Sequence, residues 1–199
     1  MQRDPSLPRR RSIRLPLFDY SQPYSYFVTI CSANKECIFG RVSGTDVVLS
    51  PLGRIVNDCW LEIPRHFPTV ELVRHVVMPN HIHGILRIQL TEADGRRLAK
   101  QQDRARHAVP LRPVQPARDF ASPTVGSIPT ILGAFKGAAS RRAASSLSFD
   151  RKQLWQRGYY ERVIRTDKEL GETSEYIRLN PSQWRLDSEN PGVRAAKNA

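Results

Sequence analysis

The pair His81-Ile82-His83 is the sharpest chemical feature of the chain. Alternate residues of an extended strand project from one face, so on a strand the two imidazoles stand side by side while Ile82 points the other way. Imidazoles bind divalent transition metals well, and a site completed by oxygen donors suits Mg²⁺ or Mn²⁺. Far downstream, Tyr176 and Asn180 sit four apart, the spacing that places two side chains one above the other on a helix face. A helix packed beside the histidine strand would bring a phenol and an amide oxygen to the imidazoles together, as a nucleophile and a third metal ligand. Two readings stay open on these residues alone. Tyr176 would equally pack against a sheet while Asn180 caps the helix before Pro181, and a solitary His-x-His arises often by chance. His66, His75 and His107 have no such geometry and read as surface or core histidines.

The elements that must position these groups are legible in outline. Tyr24 to Cys31 is dense in aromatic and β-branched residues, a strand signal, and a short hairpin is expected around Asp46–Leu49. Leu52, Ile55, Val56, Cys59 and Trp60 recur at helical spacing after Ser50, a natural N-cap, in a helix that Pro64 ends. Val70–Met78 and His81–Leu90 are apolar runs separated by Pro79-Asn80, which predicts two paired strands. Ile128, Ile131, Leu132 and Phe135 mark a helix from Ser127 to about Ala143 whose polar face carries Lys136, Arg141 and Arg142. Gly158–Arg165 reads as a strand, and Thr166-Asp-Lys-Glu169 resembles a capping box opening a helix to about Leu179, stopped by Pro181. The order predicts an α+β fold, a ferredoxin-like or RRM-like antiparallel sheet with helices covering one face.

At 199 residues the chain suits one domain with a real core. The division expected is a basic arm at 1–16, a domain at 17–187 interrupted by a polar, Arg/Gln/Pro-rich flexible insertion at 91–126, and a tail at 188–199. Three cysteines without CxxC spacing exclude a disulfide framework or a cysteine zinc site. The basic start lacks the apolar run of a secretory signal and nothing is long enough to span a membrane, so a cytoplasmic, nucleoid-associated protein is expected. Thirty-one Lys and Arg against nineteen Asp and Glu give a net charge of +12, which attracts polyanions. Arg9, Arg10, Arg11, Arg14, Lys136, Arg141, Arg142, Arg165 and Arg178, with Arg162, are the candidate phosphate contacts, and Tyr24 and Trp155 candidate stacking platforms.

Val77-Met-Pro-Asn-His-Ile-His-Gly84 resembles the HUH motif, two histidines flanking a hydrophobic residue, of the single-tyrosine transposases. Tyr26-Phe-Val-Thr-Ile-Cys31, Trp155-Gln-Arg-Gly-Tyr-Tyr-Glu-Arg-Val-Ile-Arg165 and Tyr176-Ile-Arg-Leu-Asn-Pro181 extend the likeness, in particular to the REP-associated tyrosine transposases. It spans about Arg14 to Pro191, with 91–126 its least familiar part. The resemblance implies a single-strand DNA endonuclease and strand transferase acting at hairpin-forming repeats. Tyr176 would be the nucleophile that forms a 5′-phosphotyrosine link, and His81, His83 and Asn180 the ligands of Mg²⁺ or Mn²⁺. Relatives of this kind are compatible with a homodimer or a monomer.

Tyr160 is the reserve nucleophile. It and Tyr159 lie on a strand without a carboxamide at helical spacing, which fits packing or base stacking better. Two other function classes compete. A non-catalytic nucleic-acid-binding module on a similar sheet explains the charge and the aromatics, but not the four site residues together. A His-x-His metallohydrolase using water would want carboxylate ligands, and none clusters nearby in the sequence.

Overall fold

The computed structural model describes residues 20–89, 126–150, 154–187 and 189–193. The basic arm with Arg9, Arg10, Arg11 and Arg14, the insertion up to residue 125 and the last six residues lie outside them. Along the chain run β1 (Ser25–Cys31), β2 (Gly40–Ser43), β3 (Asp46–Leu49), α1 (Pro51–Leu61), α2 (Ile63–His66), β4 (Val70–Val77), β5 (His81–Ile88), α3 (Ile128–Leu147), β6 (Tyr160–Ile164) and α4 (Asp167–Leu179). Four strands form one antiparallel sheet in the order β4-β5-β1-β6, the ferredoxin-like arrangement expected, and β2-β3 is a separate hairpin.

β1 is central because its aromatic and β-branched residues can be covered on both faces. Tyr26, Val28 and Ile30 point one way, joined by Ile82 and Leu86 of β5, and pack under Trp60 of α1 and Ile131 and Phe135 of α3. Phe27 points the other way, with Ile85 and Ile164, and meets Ile177 and Leu170 of α4. Helices on one face therefore describes the crossover helices α1 and α3, while α4 lies on the opposite face. Hydrophobic spacing shows that a helix has a buried stripe but not which side of the sheet receives it. Burying a Phe or Ile contributes about 1.5–3 kcal/mol, against about 1 kcal/mol for an N-cap. The Ile177 cluster thus sets where α4 sits, and its caps only trim the ends.

The caps do form. Ser50 Oγ accepts from Gly53 N at 3.0 Å, and Thr166 Oγ1 accepts from Glu169 N at 3.1 Å while Glu169 Oε2 reaches back to Arg165 N at 3.0 Å. Pro64, expected to end α1, instead sits in the first turn of α2, where its missing N–H costs nothing. Gly84 has a packing reason: a Cβ there would lie 2.2 Å from Trp60 Cζ2. The indole packs against β5 at Gly84, the neighbour of His83.

Candidate active site

Strand alternation does what the sequence suggested: His81 and His83 share the α4 face, with ring centroids 4.4 Å apart, and both are buried. Their outward nitrogens are set by what holds the other ring nitrogen. Asn80 spends its amide N–H groups on Lys35 O at 2.9 Å and Glu189 O at 2.8 Å, so its Oδ1 must accept from His81 Nδ1 at 2.9 Å. That leaves His81 Nε2 with a free lone pair. Thr29, opposite His83 in register, meets His83 Nδ1 at 2.9 Å, and His83 Nε2 faces the Tyr176 hydroxyl at 3.3 Å. Burial pushes His81 down to about 3 and His83 well below the usual imidazole range, so both rings are neutral.

α4 delivers its two groups as a pair because Ile177, between them, is buried against Phe27. The Tyr176 ring stands edge-on to Phe27 at 6.1 Å and to His83 at 5.3 Å. Its phenol is raised by burial and by the Asp187 carboxylate, with the Asn180 amide pulling the other way. Asn180 is buried and donates Nδ2 to Asp187 Oδ2 at 3.1 Å. Its Oδ1 and His81 Nε2 are both buried without a hydrogen-bond partner in the protein. A lone buried acceptor costs about 1–3 kcal/mol, so two of them, on residues that flank Asp187 and His83, fit a bound ion better than a void. Asp187 adds a carboxylate, since ligand atoms of His81, His83 and Asp187 all lie within 4.8 Å of one another. The donor set of imidazole, amide and carboxylate suits a divalent cation.

The groups open on a cleft of about 510 Å³ lined by Phe27, Thr29, His83, Tyr160, Arg162, Glu172, Thr173, Tyr176, Asp187 and Glu189. Glu172, Asp187 and Glu189 outnumber Arg162 there. Lys168 lies 3.9 Å from Glu172 and Lys35 pairs with Glu189, just as Glu169 at 3.2 Å and Thr173 at 2.9 Å hold Arg162, which leaves Asp187 without a cationic partner among the described residues. The cleft is acidic in a basic protein. A phosphodiester entering it meets repulsion unless a divalent ion inverts the local sign.

The likeness of this chain to known proteins follows the same lines. No protein-family model matches it. It is 38% identical over 179 residues to an uncharacterized protein of Haemophilus influenzae, covering 89% of this chain and 91% of that one. The two belong to one family. Among solved structures, a REP-associated tyrosine transposase bound to a REP hairpin superposes with a TM-score of 0.51 at 15% identity, over 86% of this chain and 74% of that one. The two chains share a fold. A transposase-like protein of Deinococcus radiodurans aligns at 16% identity and a TM-score of 0.42, over 77% and 87% of the chains.

Within this fold the candidate basic residues scatter. Lys136 and Arg142 lie on α3, across the sheet from the cleft. Lys136 Nζ is drawn in to Gln156 O at 2.8 Å and Gly158 O at 3.1 Å, its pKa lowered by burial, so it holds a loop instead of meeting solvent phosphates. Arg142 pairs with Glu62 at 2.8 Å on the same face, and Arg141 beside it is exposed. Arg178 is forked onto Glu175 at 2.6 and 2.8 Å. Arg165 lines a separate groove with Tyr24 and Arg87. Trp155 is half-buried, its rings 5.4 Å from Phe39 and 5.5 Å from Phe135, and its indole N–H donates to Lys136 O at 3.1 Å, so it is core and not a platform. Tyr160 lines the cleft and is exposed, but among the described residues Tyr176 is the tyrosine whose hydroxyl meets a histidine.

Sequence reasoning missed Asp187, Asn80 and Thr29. Asn80 carried a signal, being an amide immediately before the histidines. Asp187 had none, because only the turn after Pro181 and the 3₁₀ helix Trp184–Leu186 bring it back. That segment is pinned by Glu189, whose carboxylate pairs with Lys35. No helix among the described residues is long and apolar enough to cross a membrane.

Proposed function

We propose that the chain is a metal-dependent single-strand DNA endonuclease and strand transferase that forms a 5′-phosphotyrosine intermediate on Tyr176 at hairpin-forming repeats. One observation carries the reading: the Tyr176 hydroxyl lies 3.3 Å from His83 Nε2, beside a buried imidazole nitrogen and a buried amide oxygen that have no protein partner. A divalent ion such as Mg²⁺ or Mn²⁺, held by His81, His83 and Asn180 with Asp187 as a further ligand, would polarise a non-bridging phosphate oxygen and offset the carboxylates.

The residues account for the rest. Tyr176 presents its oxygen from a helix fixed by Ile177, so the nucleophile is positioned before substrate arrives. Attack forms a bond from the Tyr176 oxygen to phosphorus and breaks the bond from phosphorus to the 3′ oxygen of the upstream nucleotide. One proton leaves the phenol and one reaches the released 3′ oxygen. Because one phosphodiester replaces another, a second 3′-hydroxyl can reverse the attack and join strands without ATP. A phenol raised by burial and by Asp187 is a poor nucleophile near neutral pH, and positive charge beside it is what the reaction requires. The transposase of the same fold is bound to a REP hairpin, and we extend single-stranded or hairpin DNA to this chain as its partner class. The +12 charge, unspent in the cleft, suits association with the nucleoid.

Hairpin DNA incubated with the protein and Mn²⁺ or Mg²⁺ and run on a denaturing gel tests this. A protein–DNA adduct lost in Tyr176→Phe is the expected outcome. A second reading gains support from Asp187: a His-His-Asp cluster is the carboxylate-completed set that a water-using hydrolase wants. Free 5′-phosphate ends with no adduct, unchanged in Tyr176→Phe, would favour hydrolysis.

A further inference from the structure

Tyr160 occupies a place in the cleft that neither a nucleophile nor a packing residue explains. It is 41% exposed, nearly as open as Tyr176 at 43%, although a Tyr that serves only packing is normally covered. It stands in the same cross-strand row as the histidine site, since Thr29 is opposite His83 on β5 and opposite Tyr160 on β6. Two strand spacings separate the backbones of His83 and Tyr160, about 10 Å. Phe27 links them underneath, stacked on His83 at 5.3 Å and meeting the Tyr160 ring edge-on at 6.2 Å. Tyr160 and Tyr176 therefore both meet one buried aromatic and line one cleft. Two residues along β6, Arg162 is tied to Thr173 and Glu169 and so is not free to close over the ring.

We propose that Tyr160 is the platform on which an unpaired base next to the phosphate at Tyr176 stacks. The inference rests on the single-strand DNA reading above and names a subsite for it. A phosphate held at the histidines carries its neighbouring base about one nucleotide away, which is where the exposed ring stands. Backed by Phe27, the ring loses little freedom on binding. Stacking needs only a π-face, so this subsite selects unpaired over paired nucleotides without selecting sequence. An acidic cleft needs such a term, because its side chains offer a phosphate backbone little beyond Arg162.

The test measures equilibrium binding in a Tyr176→Phe background, where covalent capture cannot contribute, with Mn²⁺ present. The probes are short oligodeoxythymidylate and an abasic strand of the same length. The base-bearing strand should bind more tightly by roughly 5- to 150-fold. Tyr160→Phe should keep that preference, while Tyr160→Ala and Tyr160→Leu lose most of it and leave abasic binding unchanged. Leu retains an apolar contact on Phe27, so loss in Leu as well as Ala separates stacking from packing. The proposal is overturned if Ala and Leu keep the preference, or if the parent shows none. Adduct formation by the protein with Tyr176 intact is scored separately: an adduct with no role for Tyr160 sinks this inference alone, and a Tyr160-dependent preference without any adduct sinks the transferase reading alone.

Discussion

Asn80→Ala removes the residue that holds His81 in its tautomer, and its consequences can be worked from three contacts. Asn80 is fully buried, donates to Lys35 O and Glu189 O, and accepts from His81 Nδ1. Alanine takes the Asn80 amide away from two half-buried carbonyls and one buried ring N–H. At about 1 kcal/mol per hydrogen bond the loss is about 3 kcal/mol, which in a chain of this size lowers Tm by roughly 6–12 °C. Freed of Asn80, His81 can place its proton on Nε2, so Mn²⁺ affinity should fall by roughly 10- to 100-fold. Chemical denaturation reads the first effect and calorimetric Mn²⁺ titration of the folded variant reads the second. A variant that binds Mn²⁺ as tightly as the parent would refute the claim that Asn80 orients a metal ligand, whatever happens to its stability.

Three more expectations follow from the packing and the charges. Gly84→Ala drives a methyl into Trp60 and should cost about 1–3 kcal/mol in denaturation, and an unchanged midpoint would mean the indole moves freely. Without metal, stability should fall as pH drops below about 6.5, because His81, held at about 3, and His83 and His75, also depressed by burial, stay neutral while the unfolded chain takes up their protons. For His81 the loss is about 2 kcal/mol at pH 5, with His83 and His75 acting in the same direction, and a flat profile between pH 7 and 5 measured by urea titration would contradict it. Lys136→Met should destabilise by about 1–3 kcal/mol through the carbonyls of Gln156 and Gly158 and leave the salt dependence of DNA binding unaltered; a slope reduced by about one would restore Lys136 as a phosphate contact.

Patterns that live within one element were legible in the sequence, and contacts between elements were not. Strand alternation placed His81 and His83 together, and helical spacing placed Tyr176 and Asn180 together. The Thr166–Glu169 cap and the order of elements along the chain also follow from local chemistry. What escaped depends on how elements meet. α4 crosses to the far face because Ile177 and Leu170 find Phe27, Ile85 and Ile164 there. Asp187 reaches the histidines through a turn with no periodicity to betray it. Basic side chains read as free charges on α3 and α4, yet Lys136 and Arg142 each have a partner that only the folded chain provides, and Arg178 is held by Glu175 three residues back on its own helix. The acidity of the cleft runs against the net charge for the same reason: composition sums charges and cannot say which are gathered.

The most direct measurement is peptide mass mapping of the protein after incubation with hairpin DNA and Mn²⁺. The account predicts a nucleotide attached through a 5′-phosphate to Tyr176, absent when chelator replaces the metal. A nucleotide on Tyr160, or complete cleavage with every tyrosine unmodified, would contradict it.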